Sequence, residues 1–273
     1  MRYVKLAGSD VPAIGQGTWY MGEDPARRGA EVAALQQGIE LGMSLIDTAE
    51  MYAEGGAEEV VGQAIAGRRE QVFLVSKVYP HNASQRGVPA ACERSLKRLG
   101  TDVIDLYLLH WRGQYPLEET VEAFERLREQ GKIRRWGVSN FDTDDLRELH
   151  NPDCATNQVL YNPLQRGIEF DLLPWSRQRA LPIMAYCPLA QAGRLLQHPV
   201  LGEIAERHGA TPAQVSLAWV TRDDGVIAIP KAVAPEHVRL NAAAGALTLS
   251  SEELRAIDRA FPAPTRKQHL AMV

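Results

Sequence analysis

Asp47 and Tyr52 stand five residues apart in Leu45-Ile46-Asp47-Thr48-Ala49-Glu50-Met51-Tyr52. Lys77 closes the run Val72-Phe73-Leu74-Val75-Ser76-Lys77, and His110 closes Ile104-Asp105-Leu106-Tyr107-Leu108-Leu109-His110. The apolar stretches before them suit buried parallel strands. A phenol is a poor acid near neutrality, with a reference pKa of about 10. A neighbouring cation lowers that value, and a carboxylate can hold the cation in place. A carboxylate, a phenol, an ammonium and an imidazole at successive strand ends could therefore deliver a proton to a substrate oxygen. They could also hydrogen-bond that oxygen as it gains charge.

Positioning four such groups needs a scaffold that brings strand ends together. Residues 3–6 and 11–14 predict a hairpin turning at Gly8-Ser9-Asp10. Eight further strands alternate with helical patterns. They fall at Gly15–Trp19, Ser44–Asp47, Val72–Lys77, Val103–His110, Ile133–Ser139, Thr156–Leu160, Pro182–Tyr186 and Val226–Pro230. Between the first two, Val32, Leu35, Ile39 and Met43 repeat on one helical face. Gly100 and Gly131 stand where helices should stop. Thr143 is the expected N-cap of the helix after the fifth strand. Pro174 should break or offset a helix over Glu169–Arg179. Gly209 interrupts the helical stretch 199–221, which restarts at Thr211-Pro212. Ser250 and Glu253 fit a capping box at the head of a last helix, Ser251–Ala260. The tail 265–273 is polar and basic and predicts irregular structure. Together these predict an α/β fold, a (β/α)8 TIM barrel with the hairpin capping its bottom. No linker or change of composition divides the chain, so one domain over 1–273 is expected.

The 273 residues suit such a barrel, which takes roughly 250. Apolar content of 45% is ample for a core. Net charge of −4 and a pI near 6.0 argue against nucleic acid as a partner. No apolar run approaches the ~18 residues of a membrane span, and the N-terminus has no signal-peptide core. Cys92, Cys154 and Cys187 are odd in number and widely spaced. They suggest neither a metal site nor a disulfide framework, and a reducing cytoplasm is the simplest setting.

Taken singly, each residue also has a structural role open to it. Asp47 could cap a turn, Tyr52 could be a packed aromatic, Lys77 a solvated lysine and His110 a hydrogen-bonded core histidine. Ser139-Asn140 could be a plain turn, and Tyr186, Trp19 and Trp111 rim aromatics. The coincidence of four reactive types at strand ends favours chemistry.

The ordered motifs resemble the aldo-keto reductase family. Asp47 through Tyr52, Lys77 and His110 match its central residues. Trp136-Gly137-Val138-Ser139-Asn140, Asn157-Gln158, Tyr186-Cys187-Pro188-Leu189 and Ile229-Pro230-Lys231 match its later segments. The likeness runs from the hairpin to about Asn241 and is strongest to bacterial reductases of small aldehydes, including those acting on methylglyoxal. It implies NADPH-dependent reduction of a small carbonyl, with NADH a possible cofactor and a monomer as the default. Ser139, Asn140 and Gln158 would bind the nicotinamide carboxamide. Tyr186, followed by Pro188 and Leu189, would stack on the ring, and Lys231 would meet the 2′-phosphate. His237 stands where many members have arginine, and Asn241 is kept. Neutral histidine offers one donor where arginine offers a fork matched to phosphate. Trp19 and Trp111 would line the substrate pocket, shaped by Trp19–Asp24, Trp111–Pro116 and the tail Pro262–Val273. Residues 53–57 carry two extra positions compared with many members. One alternative is a non-catalytic, cofactor-binding regulator on the same fold. A barrel lyase or isomerase would call for a phosphate-binding glycine loop after strands seven and eight, and none is present.

Overall fold

The computed structural model describes residues 1–273. Its first two strands, β1 (Tyr3–Leu6) and β2 (Ser9–Pro12), pair antiparallel. Leu6 faces Ser9, so Ala7 and Gly8 alone make the turn, at φ of 54° and 83°. Both are left-handed, as a two-residue hairpin turn requires. The turn thus comes earlier than expected, and Ser9 and Asp10 belong to the second strand.

Eight parallel strands follow: β3 (Gln16–Gly17), β4 (Leu45–Asp47), β5 (Phe73–Val78), β6 (Ile104–Leu109), β7 (Ile133–Ser139), β8 (Cys154–Leu160), β9 (Ile183–Tyr186) and β10 (Val226–Ala228). Each pairs with the next in chain order. Ile14 bridges to Ala228 and closes the ring. Gly15 N donates to Ala228 O at 2.8 Å and Gly17 N to Pro230 O at 3.0 Å across the same seam.

Ten helices wrap the ring: α1 (Arg28–Glu40), α2 (Gly56–Ile65), α3 (Gly87–Leu99), α4 (Leu117–Glu129), α5 (Thr143–Leu149), α6 (Leu172–Gln178), α7 (Pro199–His208), α8 (Pro212–Val220), α9 (Pro235–Ala244) and α10 (Ser251–Ala260). The architecture is the expected (β/α)8 barrel, with α7 and α10 packed together as additions.

The first and last barrel strands are shorter than expected and the sixth begins two residues earlier, at Cys154. Two helix starts also differ, for local reasons. Asp142, not Thr143, caps α5; its carboxylate accepts from Thr143 N at 2.6 Å, and the Asp145 carboxylate accepts from Asp142 N at 2.9 Å. The helix expected over 169–179 starts later: a separate short turn, Gly167–Glu169, comes first and α6 begins at Leu172. Pro174 then falls in the first turn of α6, where a missing N–H removes no intrahelical bond. The Ser250–Glu253 capping box is formed as expected.

The core has two parts. Outward-facing strand residues such as Ile46, Tyr107 and Trp136 pack with Leu35, Val61 and Phe124 of the helices. Inside the ring, Leu45, Val75, Leu106, Leu108, Met184 and Ile227 meet Leu6 and Val11 of the hairpin. Burying Leu6 and Val11 contributes roughly 1.5–3 kcal/mol each. That holds in place a hairpin that would be marginal alone. The plug fills the end of the ring opposite the strand C-termini and leaves that upper end for a site.

Closure also limits side chains. A Cβ on Gly17 would lie 2.7 Å from the backbone oxygen of Ile229. Gly17→Ala should therefore lower stability by about 1–3 kcal/mol. Urea unfolding measures it, and an unchanged midpoint would show that the seam yields freely.

Candidate active site

Asp47 ends β4, Lys77 is the penultimate residue of β5 and His110 directly follows β6. Lys77 pairs in register with Leu108, and Asp47 with Val75, so the three strand ends rise together. The Lys77 ammonium is fully buried and donates to Asp47 Oδ2 at 2.7 Å, Thr48 O at 2.8 Å and the Tyr52 hydroxyl at 3.2 Å. An ammonium has three hydrogens, and all three are used. Gln158 reaches across the ring from β8, and its Nε2 donates to Asp47 Oδ1 at 2.7 Å.

Tyr52 sits outside the strand, on a turn whose next three residues are left-handed: Ala53 (50°), Glu54 (52°) and Gly55 (96°). At Gly55 a Cβ would meet Arg98 Cδ at 2.5 Å. Arg98 is held by the buried Glu58 carboxylate, which accepts from its Nε at 2.7 Å and from Ser76 Oγ at 2.6 Å. The tyrosine turn is thus braced from behind by a buried ion pair.

Burial sets the titration of the site. It pulls Lys77 below and Asp47 above their ordinary values, each opposed by contact with the other. Burial also raises the Tyr52 phenol well above 10, and the Asp47 carboxylate, Cys187 and Tyr186 push the same way. The expectation was that Lys77 lowers this phenol; in the closed pocket desolvation comes first and the direction is upward. Tyr52 stays protonated through the ordinary pH range. Since Lys77 donates to its oxygen, the phenolic hydrogen is free to turn to the cavity.

His110 packs edge-on to Tyr52, with ring centroids 5.6 Å apart. Burial first, and Lys77 second, lower its pKa well below 6.5. The imidazole is neutral at physiological pH. Its Nδ1 is buried with no partner, so the ring proton belongs on Nε2, where it can be donated.

A polar shelf runs beside this group. Ser139 Oγ donates to Gln158 O at 2.9 Å. Asn140, itself left-handed at φ 59°, donates to His110 O at 3.1 Å and accepts the Tyr186 hydroxyl at 2.8 Å. Tyr52, His110, Ser139, Asn140, Gln158 and Tyr186 all line one cavity of about 540 Å³. Its walls add Trp19, Trp111, Pro188, Leu189 and, at the outer end, the exposed Lys231. Partial burial and the nearby Arg27 guanidinium lower the Lys231 ammonium from its usual value. A polar shelf, an aromatic ring and Lys231 along one cavity, with Arg27 near that lysine, fit a phosphorylated nicotinamide dinucleotide.

A family model described as the aldo/keto reductase family matches residues 13–261. The chain belongs to the aldo/keto reductase family. Methylglyoxal reductase YeaE of Escherichia coli is 60% identical over 100% of this chain and 99% of its own length. Glyoxal reductase of Bacillus subtilis is 35% identical over 92% of this chain and 89% of its own. A crystal structure of an aldo-keto reductase from Klebsiella pneumoniae in complex with NADPH superposes with a TM-score of 0.98. It is 58% identical and covers 100% of this chain and 99% of that one.

The structure gathers every expected residue except two. His237 is exposed on the first turn of α9, Asn241 is buried one turn further, and neither lines the cavity. Thr18, Cys187 and Gln191 also line it, as do Met272 and Val273 from the tail expected to shape the pocket. Arg27 was missed because nothing local links it to Lys231; the two stand just ahead of α1 and α9, which pack together. Glu50 was missed too. Its buried carboxylate accepts from Tyr79 N at 2.8 Å and Asn82 Nδ2 at 2.9 Å, and Tyr79 packs edge-on to Trp111.

The neutral imidazole is open to test. In histidine-labelled NMR spectra, His110 should keep neutral shifts at about pH 6, below the reference midpoint of about 6.5. A midpoint at the reference value would show that solvent reaches the ring.

Proposed function

We propose that this chain reduces small aldehydes and ketones, α-dicarbonyls such as methylglyoxal foremost, to alcohols with NADPH. The observation that carries this is the Tyr52 hydroxyl, held by Lys77 at 3.2 Å with its own hydrogen free toward the cavity. The names of the Escherichia coli and Bacillus subtilis relatives and the cofactor of the Klebsiella pneumoniae structure support it.

When bound, NADPH supplies the hydride. The carbonyl oxygen then gains negative charge, and His110 Nε2–H and the Tyr52 hydroxyl are the donors that meet it. Tyr52 gives up its proton to that oxygen. A raised phenol pKa suits this step, because the acceptor is a strongly basic alkoxide. Lys77 acts afterwards, when its charge stabilises the phenolate. Asp47 and Gln158 keep Lys77 aimed. Ser139, Asn140 and Gln158 offer the polar edge for the carboxamide, and Tyr186 the ring beside it, with Pro188 and Leu189 shaping the wall. Lys231, with Arg27 and His237, meets the 2′-phosphate, and Asn241 steadies the adenosine end from α9.

The non-catalytic alternative has no observation in its favour, since the proton-delivery group is fully assembled. All site residues come from one chain, so a monomeric barrel domain over 1–273 suffices. Two of the three cysteines are buried free thiols, and no helix is long and apolar enough to cross a membrane. We infer a monomer of the reducing cytoplasm, without nucleic-acid partners.

Tyr52→Phe should lower kcat at least ~10²-fold with NADPH affinity nearly unchanged. In the wild type, kcat for reduction should stay flat between about pH 6 and 9, because the phenol keeps its proton throughout. Stopped-flow loss of reduced-cofactor absorbance reads both. Near-normal turnover in the phenylalanine variant would sink the assignment.

Cofactor choice is tested separately. Lys231→Met should weaken NADPH by about 10–100-fold, the scale of a charge-assisted bond, and leave NADH unchanged. Arg27→Gln should act in the same sense, and His237→Arg in the opposite one. Equal losses for both cofactors in fluorescence titrations would remove these cations from the 2′-phosphate.

A further inference from the structure

The tail after α10 is fastened to the barrel at two points. At its root, Arg166 bonds Phe261 O and pairs with Asp258 at 2.8 Å and Glu169 at 2.6 Å. Arg166 is buried, and Phe261 is buried against the His198 ring. Residues 262–266 then cross the surface with no buried side chain.

The second fastening is Lys267. Its ammonium lies 3.1 Å from Asp171, 3.3 Å from Asp142 and 3.5 Å from Asp144. Asp171 first, and then Asp142, hold its pKa above the usual lysine value. They come from two different places, the head of α5 and the residue before α6. Beyond the clasp, Leu270 enters a cleft with Leu160, Ile168 and Leu172. Met272 and Val273 then form part of the cavity wall, and the Val273 backbone reaches the Tyr186 hydroxyl.

This wall has little packing of its own. Met272 is 54% and Val273 67% exposed. Besides Leu270 and the Val273 contact with Tyr186, the clasp is what holds the last residues over the cavity. One of its anchors, Asp142, is two residues past Asn140, so the strap is tied to the turn that carries the polar shelf.

We propose that Lys267 is a specificity-determining positioning residue: its clasp on Asp142, Asp144 and Asp171 holds Met272 and Val273 as the wall that fits the cavity to a small carbonyl. The proposal rests on the carbonyl-reductase function above. With the clasp intact, a small dicarbonyl meets a preformed wall. With it open, the wall gives way, small substrates lose contacts and bulky ones gain room. Because Lys267 is partly exposed, salt screens the clasp, and a single exposed pair would contribute little. Asp171 and Asp142 on one ammonium, with Asp144 at the edge and shared with Arg147, make the network that exposed pairs need in order to matter.

The test compares Lys267→Met and Lys267→Arg with the wild type at saturating NADPH. The readout is the ratio of kcat/KM for methylglyoxal to that for a bulky aromatic aldehyde. In the methionine variant this ratio should fall at least about threefold, mostly through KM, the scale of a small ion-pair network. Added sodium chloride should lower the ratio in the wild type but not in this variant, and the arginine variant should retain it. Amide hydrogen exchange over 268–273 should quicken in the methionine variant alone. A ratio and salt response equal to wild type would overturn the proposal, whether or not exchange quickens. If the wild type itself reduced neither carbonyl, the functional assignment would fail, and exchange would still report whether the clasp holds the tail.

Discussion

The buried pair of Lys77 and Asp47 is the constraint on which the upper half of the barrel depends. A lone charge in such a place costs several kcal/mol or more, and neither side chain is more than 3% exposed. The ammonium is tolerable only because three acceptors stand around it, contributed by the end of β4, the residue beyond it and the tyrosine turn. Asp47 in turn needs Gln158 from the far side of the ring. A slip of one residue in β4 or β5 would aim these side chains outward, since alternate residues face opposite sides. The pair therefore fixes register, the tyrosine turn and the position of β8 at once.

That burden explains how the site divides its tasks. Lys77 has no hydrogen left for a substrate and can act only through Tyr52. Tyr52, pushed upward by burial, is an acid held in reserve and not a partly ionised group. His110 is kept neutral by the same burial and the same ammonium, which makes it a donor without a charge of its own. One low-dielectric pocket thus holds a charged ammonium beside a neutral acid and a neutral donor. The arrangement suits an oxygen that is neutral on arrival and charged in transit.

Much of this was legible in the chain. Strand β7 and helix α10 fall at the limits that periodicity and capping predict, and each central residue lies at the strand end or turn expected of it. What escaped was nonlocal or decided by competition. Asp142 outcompetes Thr143 for the cap because a carboxylate accepts more strongly than a hydroxyl. The Gln158–Asp47 bond spans 111 positions in sequence, and no local pattern encodes it. The direction of the Tyr52 shift depends on how completely water is excluded, which spacing alone does not say. Arg27 and Lys231 stand just ahead of two helices that are distant in sequence and pack together.

The seam between Ile14 and Ala228 carries a consequence for biosynthesis. The ring closes by joining a strand made near the start of translation to one made near its end, so the enclosed charges cannot be sealed from water until about residue 228 has left the ribosome. Until then β3 and β9 are open edges, and the ammonium and carboxylate remain hydrated. The desolvation that tunes the site is thus deferred to the moment the last strand docks. A nascent chain stalled before that point would have every central residue present and none of them yet in the dry pocket that tunes it.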